Sequence, residues 1–347
     1  MSRFSQNIFL ASGLRTPFGR GGGALASYDA ISLSVPVVQA MSRQLRDQRP
    51  DLVLWGTVIP SLGWSNVARE IWLDAKLDPT VPSFSVVMAC GTSVMAAFAA
   101  AGMIGGGTDV ALVGGVEVMS RPPVGLKQAA IDSLLSLFKR NPAGALAGLG
   151  NLKPTDFDLP TKGWANRITG RTMGDHMEET AKQWKITREA QDEWALRSHQ
   201  RSLAAWQSGF FDDLVLPLPE IAKDANPRSD TSLEKLASLP PAFDRTSGRG
   251  TLTAGNSSPI TDGAASVWVL SEKGRERLPD GTPSVRLSDF EVAAVDFADG
   301  LLMAPSYAIP RLLDRNGLKF DDIDLWEIHE AFAAQVLANV AALERPG

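Results

Sequence analysis

Cysteine is nearly absent from this chain: Cys90 is the single thiol in 347 residues. That excludes an intrachain disulfide and any cysteine-cluster metal site. Histidine is almost as scarce, with three in the whole sequence. His176, His199 and His329 are too few and too widely spaced for a metal site. No apolar run is long enough to span a bilayer. Met1–Leu10 has no long apolar h-region and no transit-peptide character, which with a lone thiol points to a cytoplasmic protein. A strong charge of one sign is also missing. A formal net charge of −5 argues against a general nucleic-acid surface. Small anionic ligands stay open, since a few local Arg and Lys residues suffice for them. No fixed-period repeat or low-complexity tract is visible. Gly21–Gly23 and the Gly114–Gly115 pair match no phosphate-loop spacing.

What is present is an ordinary soluble composition, 44% hydrophobic and 21% charged, in a length that suggests two to three folding units. Apolar strands alternate with helical patterns up to about residue 120. Strands are predicted at Ile8–Ala11, Asp51–Ile59, from Ser83 up to the Cys90 turn and at Asp109–Val118, and helices at Asp29–Gln44, Asn66–Asp74 and after Cys90. This alternation argues an α/β core with helices on the sheet faces. From about Ser120 to Gly250 charge, Pro and Trp become denser and the clearest patterns are helical. Ala129–Arg140 is amphipathic, and Asp175–Trp184 and Thr187–Gly209 read as a helical pair, the second with Thr187 as N-cap. A turn cluster at Thr253–Gly263 opens into an apolar strand, Ala264–Leu270, which belongs with the first sheet. A new strand at Val285–Phe297, a helix at Tyr307–Asn316 and an apolar strand ending at His329 begin a second α/β unit. The expected organisation is therefore residues 1–120 with 251–273 as one half, 121–250 as an inserted domain, and 284–347 as the start of a second half.

Cys90 sits at the turn between a short buried strand and an Ala-rich helix. The free N–H groups and positive dipole end of such a helix favour thiolate, the reactive form. Cysteine is also among the most buried residues as a mere small hydrophobe, so position alone leaves both readings open.

Met88-Ala-Cys90, Met173-Gly174, Arg228–Leu236, Thr253–Ser258, Asp262–Ala265 and His329-Glu-Ala-Phe-Ala333 together resemble thiolases in order and spacing, across essentially the whole chain. His329-Glu-Ala-Phe, where most of the family has Asn-Glu-Ala-Phe, and Ser257-Ser258 look like the β-subunit type of the fatty-acid-oxidation trifunctional enzyme. The resemblance implies an αβαβα fold of two similar α/β halves in five layers, with a mostly helical loop domain inserted in the first. It implies cleavage of a 3-ketoacyl-CoA by CoA to acetyl-CoA and a shortened acyl-CoA, in fatty-acid β-oxidation.

In that reading Cys90 is the nucleophile that carries the acyl thioester. His329 donates, directly or through water, to the developing enolate oxygen. Arg228 contacts the nucleotide end of CoA. Ser258 hydrogen-bonds the pantetheine arm, and Met173 lines the acyl–pantetheine pocket. Thr172 stands where the family often has His. Glu330 is expected to fix its neighbours rather than act as a base. CoA is a substrate, and no cofactor or metal is implied. The family implies a homodimer, and the subtype a hydratase/dehydrogenase α subunit as partner.

Some expectations do not come from the family pattern. His176 and His199 are read as residues of solvated helix faces. For the stripe Ile131, Leu134, Leu135, Leu137 and Phe138, packing against the rest of the loop domain is preferred to contact with a membrane. The family's later Gly-His-Pro and Cys-x-Gly-Gly-Gly motifs do not occur in these residues. The preferred expectation is a sequence that stops short of a longer enzyme. The alternatives are a catalytically incomplete acyl-CoA-binding or scaffold subunit and an acyl-condensing ketoacyl synthase.

Overall fold

Strands that read as continuous apolar runs are buried on both faces. In this chain β3 (Leu52–Gly56) is buried along its whole length. The computed structural model describes residues 4–59, 61, 63–158 and 165–344. The first unit runs β1 (Ile8–Arg15), β2 (Gly19–Arg20), α1 (Ala30–Ser42), β3, α2 (Val67–Asp74), β4 (Ser83–Val86), α3 (Thr92–Met103) and β5 (Val110–Val118). The excursion that follows holds β6 (Gly125–Leu126), α4 (Gln128–Arg140), α5 (Pro142–Leu149), β7 (Phe157–Asp158), α6 (Met173–Gln183), α7 (Arg188–Gln207) and α8 (Leu233–Ala237). The chain then forms β8 (Thr261–Leu270), α9 (Glu272–Arg275), β9 (Ser284–Leu287), α10 (Ala304–Asn316) and α11 (Ala333–Leu343).

One mixed sheet carries the order β4-β3-β5-β8-β1-β9, with β2 paired to β8. β3 runs parallel to β4 and β5, whereas β8 lies antiparallel between β5 and β1. Successive strand residues face opposite sides. Val53 and Trp55 therefore pack under α1 and α2, against Leu33, Val37, Met41, Ile71 and Trp72. Leu52 and Leu54 turn the other way, onto Ala96, Ala97, Ala100 and Ala101 of α3. The run of alanines lets α3 lie close on the sheet.

Helix starts follow their caps. Asn66 accepts from the Arg69 N–H and Thr187 from the Ala190 N–H, which fixes where α2 and α7 begin. Thr172 caps α6 reciprocally with Asp175.

The strand expected over Val285–Phe297 ends at Leu287 and pairs antiparallel with β1, not with a second sheet. Beyond it, Phe290 stacks on Phe98 of α3 at 4.5 Å, so ring packing on the outer face of α3 takes over from strand pairing. The strand expected to end at His329 is also not formed: residues 323–330 run without a ladder partner.

The loop-domain stripe is split. Leu134 and Leu137 lie against Gly148 of α5, but Leu137 stays exposed along with Leu135 and Phe138, and no residue of α4 is buried. The preference for packing against the rest of the loop domain is met only by this helix pair. No helix among the described residues is long and apolar enough to cross a membrane.

Candidate active site

Cys90 is exposed at the junction of β4 and α3. Its turn is held by one hydroxyl. Thr92 Oγ1 accepts the Met88 N–H at 2.8 Å and donates to the Ala89 carbonyl at 2.6 Å. The Gly91 N–H closes the turn on the Met88 carbonyl at 3.0 Å. Ala89 is driven to φ +44°, left-handed for a residue with a Cβ, at a cost on the order of 1 kcal/mol. Gly91 is the N-cap and offers no side chain, so no side chain caps the first N–H groups of α3.

The turn is wedged in place from beneath. A Cβ on Gly56 would lie 2.0 Å from Thr92 Cγ2 and 2.6 Å from the Val86 carbonyl oxygen. Gly56→Ala is therefore expected to cost roughly 1–3 kcal/mol and to displace the Cys90 turn. Thermal melts and Cys90 alkylation rates check this; a variant with the wild-type melting temperature and reactivity would show that β3 does not set the turn.

A second constellation forms around the turn cluster after Gly255. The Ser258 N–H donates to the Ala331 carbonyl at 2.9 Å, and the Ala333 N–H to the Asn256 carbonyl at 3.0 Å. Ser257 bridges Phe332. The Ser258 loop and the His329–Ala333 segment are thus zipped together, although about 70 residues separate them in sequence.

Asn256 anchors the loop from inside. Its Oδ1 accepts the Thr253 N–H at 2.7 Å, and its Nδ2 donates to Asp192 Oδ1 at 2.9 Å. Asp192 is itself held by Arg188 Nε at 2.7 Å, one turn away on α7. Glu178 of α6 accepts the Thr251 and Leu252 N–H groups, fixing the approach to the loop.

These elements wall a cleft of about 200 Å³, lined by Trp194, Ser198, His199, Asn226, Ser258 and Glu330 among others. Asn226 and Ser257 are among the lining residues, and their Oδ1 and Oγ atoms are buried with no partner among the described residues. With Ser198, Ser202 and Ser258 beside Trp194 and Pro259, the wall mixes hydroxyls with apolar surface, a lining that suits a ligand with polar groups along an apolar stem. Glu330 accepts from Trp194 Nε1 at 2.9 Å and from Ser198 Oγ at 2.6 Å. It is engaged as a fixing group, in agreement with the sequence expectation. His329, its neighbour, is exposed and has no hydrogen-bond partner among the described residues.

Arg228 lies at the rim, half-exposed, with its guanidinium on Asp230 at 3.1 Å. That pairing raises the arginine's pKa and lowers the carboxylate's. Met173 opens α6 and packs with Phe243 and the Phe332 cluster. A Cβ on Gly174 would meet the Phe243 ring at 2.0 Å, so the Met-Gly pair is shaped by that contact. Ser258, His329, Arg228 and Met173 thus gather around the Glu330 segment. Among the described residues no hydrogen bond joins Cys90 to any of them.

Two histidines correct the sequence reading. His176 is buried, 2.8 Å from Thr169 Oγ1 and facing the Phe297 ring at 6.0 Å. His199 lines the cleft and accepts the Arg228 backbone N–H through Nδ1 at 3.2 Å. Solvated faces were expected because their helices are rich in charge; the segments that cover them come from elsewhere in the chain. A signal for His199 was available: Trp194, Ser198 and Ser202 recur every fourth residue, with His199 beside them, marking a polar and aromatic stripe on α7. Asn226 and Ser257 carried no such signal.

Residues 8–273 match the thiolase N-terminal domain and residues 281–346 the thiolase C-terminal domain. The chain belongs to the thiolase family. It is 37% identical over 351 residues to a 3-ketoacyl-CoA thiolase of Yersinia pestis (strain Pestoides F), covering 98% of this chain and 80% of that one. Its fold is that of thiolases, a mixed α/β sheet with helices around it. It superposes on the acetyl-CoA acetyltransferase of Bacillus anthracis with a TM-score of 0.85 and 33% identity, over 99% of this chain and 85% of that one. The human mitochondrial 3-ketoacyl-CoA thiolase, solved in complex with CoA, gives 0.83 at 28% identity, over 98% of this chain and 83% of that one. As a thiolase-family member the chain is an acyltransferase in kind, which fits an exposed thiol on a strained turn.

Proposed function

We propose that this thiolase cleaves a 3-ketoacyl-CoA with CoA, and that Cys90 carries the acyl group. The observation that carries the reading is the exposed Cys90 on the Ala89 turn, at a helix start that no side chain caps. The Cys90 sulfur forms a bond to C3 of the substrate, and the C2–C3 bond breaks with its electron pair on the departing acetyl-CoA enolate. Protonation at C2 gives acetyl-CoA. The thiolate of a second CoA then attacks the Cys90 thioester, and acyl-CoA leaves with the Cys90 thiolate restored.

His329 is the donor to the enolate oxygen, a role supported by its having no hydrogen-bond partner among the described residues. Ser258 and Arg228 hold the pantetheine arm and the nucleotide end, and Met173 lines the channel between them. The halves at 1–120 with 251–273 and at 284–347, and the loop domain at 121–250, are the proposed units. The Yersinia relative's name supports a 3-ketoacyl-CoA thiolase, and the resemblance of the His329-Glu-Ala-Phe form extends the proposal to a β-oxidation enzyme of the trifunctional β type. A homodimer and an α-subunit partner belong to the same proposal.

Mixing the protein with a 3-ketoacyl-CoA and CoA should release acetyl-CoA without a malonyl donor, and intact mass should show an acyl adduct on Cys90. Condensation that requires a malonyl donor would instead point to a ketoacyl synthase, and acyl-CoA binding without an adduct to a scaffold subunit. Replacing His329 by Ala should lower kcat roughly 10²–10³-fold with little change in KM. Full turnover in that variant would remove His329 from the chemistry.

A further inference from the structure

We propose that neutral His199 is a positioning residue that holds the Pro227–Arg228 turn at the cleft rim, so that CoA is released more easily when this imidazole takes up a proton. The inference rests on the reading of the cleft as the CoA channel, and goes beyond it by naming what sets the rim. His199 Nδ1 accepts the Arg228 N–H at 3.2 Å, and a neutral ring then carries its proton on Nε2. Asn226 and Pro227, just before Arg228 on the same segment, are part of the cleft wall. Holding the Arg228 backbone therefore fixes the Asn226–Pro227 part of the cleft wall and the position of the Arg228 side chain beside it.

Burial and then the Arg228 charge push His199 below its ordinary value of 6.5. Asp230, on the same turn as Arg228, and Glu330, on the His329 segment, act in the opposite sense. Both are engaged elsewhere, Asp230 with Arg228 and Glu330 with Trp194 and Ser198. The Gly255–Pro259 loop brings no titratable group to the cleft. The sign follows from the lowered value. The neutral-ring hydrogen bond is complete above about pH 6.5 and is lost as the pH falls through the lower folded-state value. A protonated Nδ1 is a donor facing the Arg228 N–H donor, and the new cation sits beside a guanidinium.

The test measures CoA affinity by calorimetry at high and low pH for the wild type, His199→Asn and His199→Phe, and follows the histidine rings and the Arg228 amide by NMR. Asn keeps an acceptor near the Nδ1 position and does not titrate. The comparison with His199→Asn also cancels the titration of the CoA phosphate, which falls in the same range. The wild type should bind about five- to tenfold more weakly at low pH than His199→Asn does, and His199→Phe should be weak throughout. The same pH response in the wild type and His199→Asn would overturn the proposal. Should CoA bind to none of the three, the CoA reading of the cleft fails by itself. The inference about His199 is then decided by NMR: an Arg228 amide that follows the His199 titration supports it, and one that ignores it overturns it.

Discussion

Replacing Cys90 by Ser should lower kcat by roughly 10⁴-fold or more, because a serine hydroxyl is far less acidic than a thiol and, among the described residues, no base is hydrogen-bonded at this position to make it a nucleophile. Cys90 is the only thiol of the chain, so intact mass gives an unambiguous readout. The wild type should gain the mass of the acyl group and the Ser variant should not. Stability should hardly change, since the side chain is exposed and Ser is close in size. An acyl adduct of equal yield on the Ser variant would place the covalent step elsewhere. If the cleft takes CoA as proposed, the variant should still bind it, because Cys90 is not among the residues lining that cleft.

Asn256→Ala is expected to be the most damaging change away from the thiol. Asn256 is buried, and its side chain makes three hydrogen bonds, to the Thr253 N–H, Asp192 and the Thr251 carbonyl. Alanine would strand the Thr253 N–H and one oxygen of the buried Asp192 carboxylate, at a cost of about 2–4 kcal/mol. The loop it anchors is zipped to the His329 segment, so KM for CoA should rise as the denaturation midpoint falls. Asn256→Asp should be at least as harmful, because two carboxylates would then share a buried site. Urea titration with CoA kinetics on both variants checks this. A wild-type midpoint for Asn256→Ala would show that Asp192 and Arg188 hold the loop without it.

Much of the fold was legible because it is written in local pattern. The apolar run at Asp109–Val118 becomes β5 almost residue for residue, and Thr187 and Asn66 start their helices as capping chemistry requires. Cys90 stands at the strand–helix turn the sequence indicates. The family motifs marked the stretches that gather around the cleft, Arg228, Ser258 and the His329 segment, because each motif is contiguous. What was not legible depends on segments far apart in sequence. The Val285 strand joins β1 and ends early, because ring packing of Phe290 on Phe98 decides its course. His176 and His199 looked solvated because their neighbours in sequence are charged.

By itself, then, the sequence determined most of the elements, the Cys90 turn and the family, since periodicity, caps and ordered motifs are local quantities. Only the tertiary structure decided which distant groups meet. Asn256 with Asp192, Ser258 with Ala331, and His199 with the Arg228 backbone are such pairs. Each needs chain segments tens of residues apart to be fixed at hydrogen-bond distance. Burial and pairing of that kind are set by what packs over a residue, which no local pattern contains.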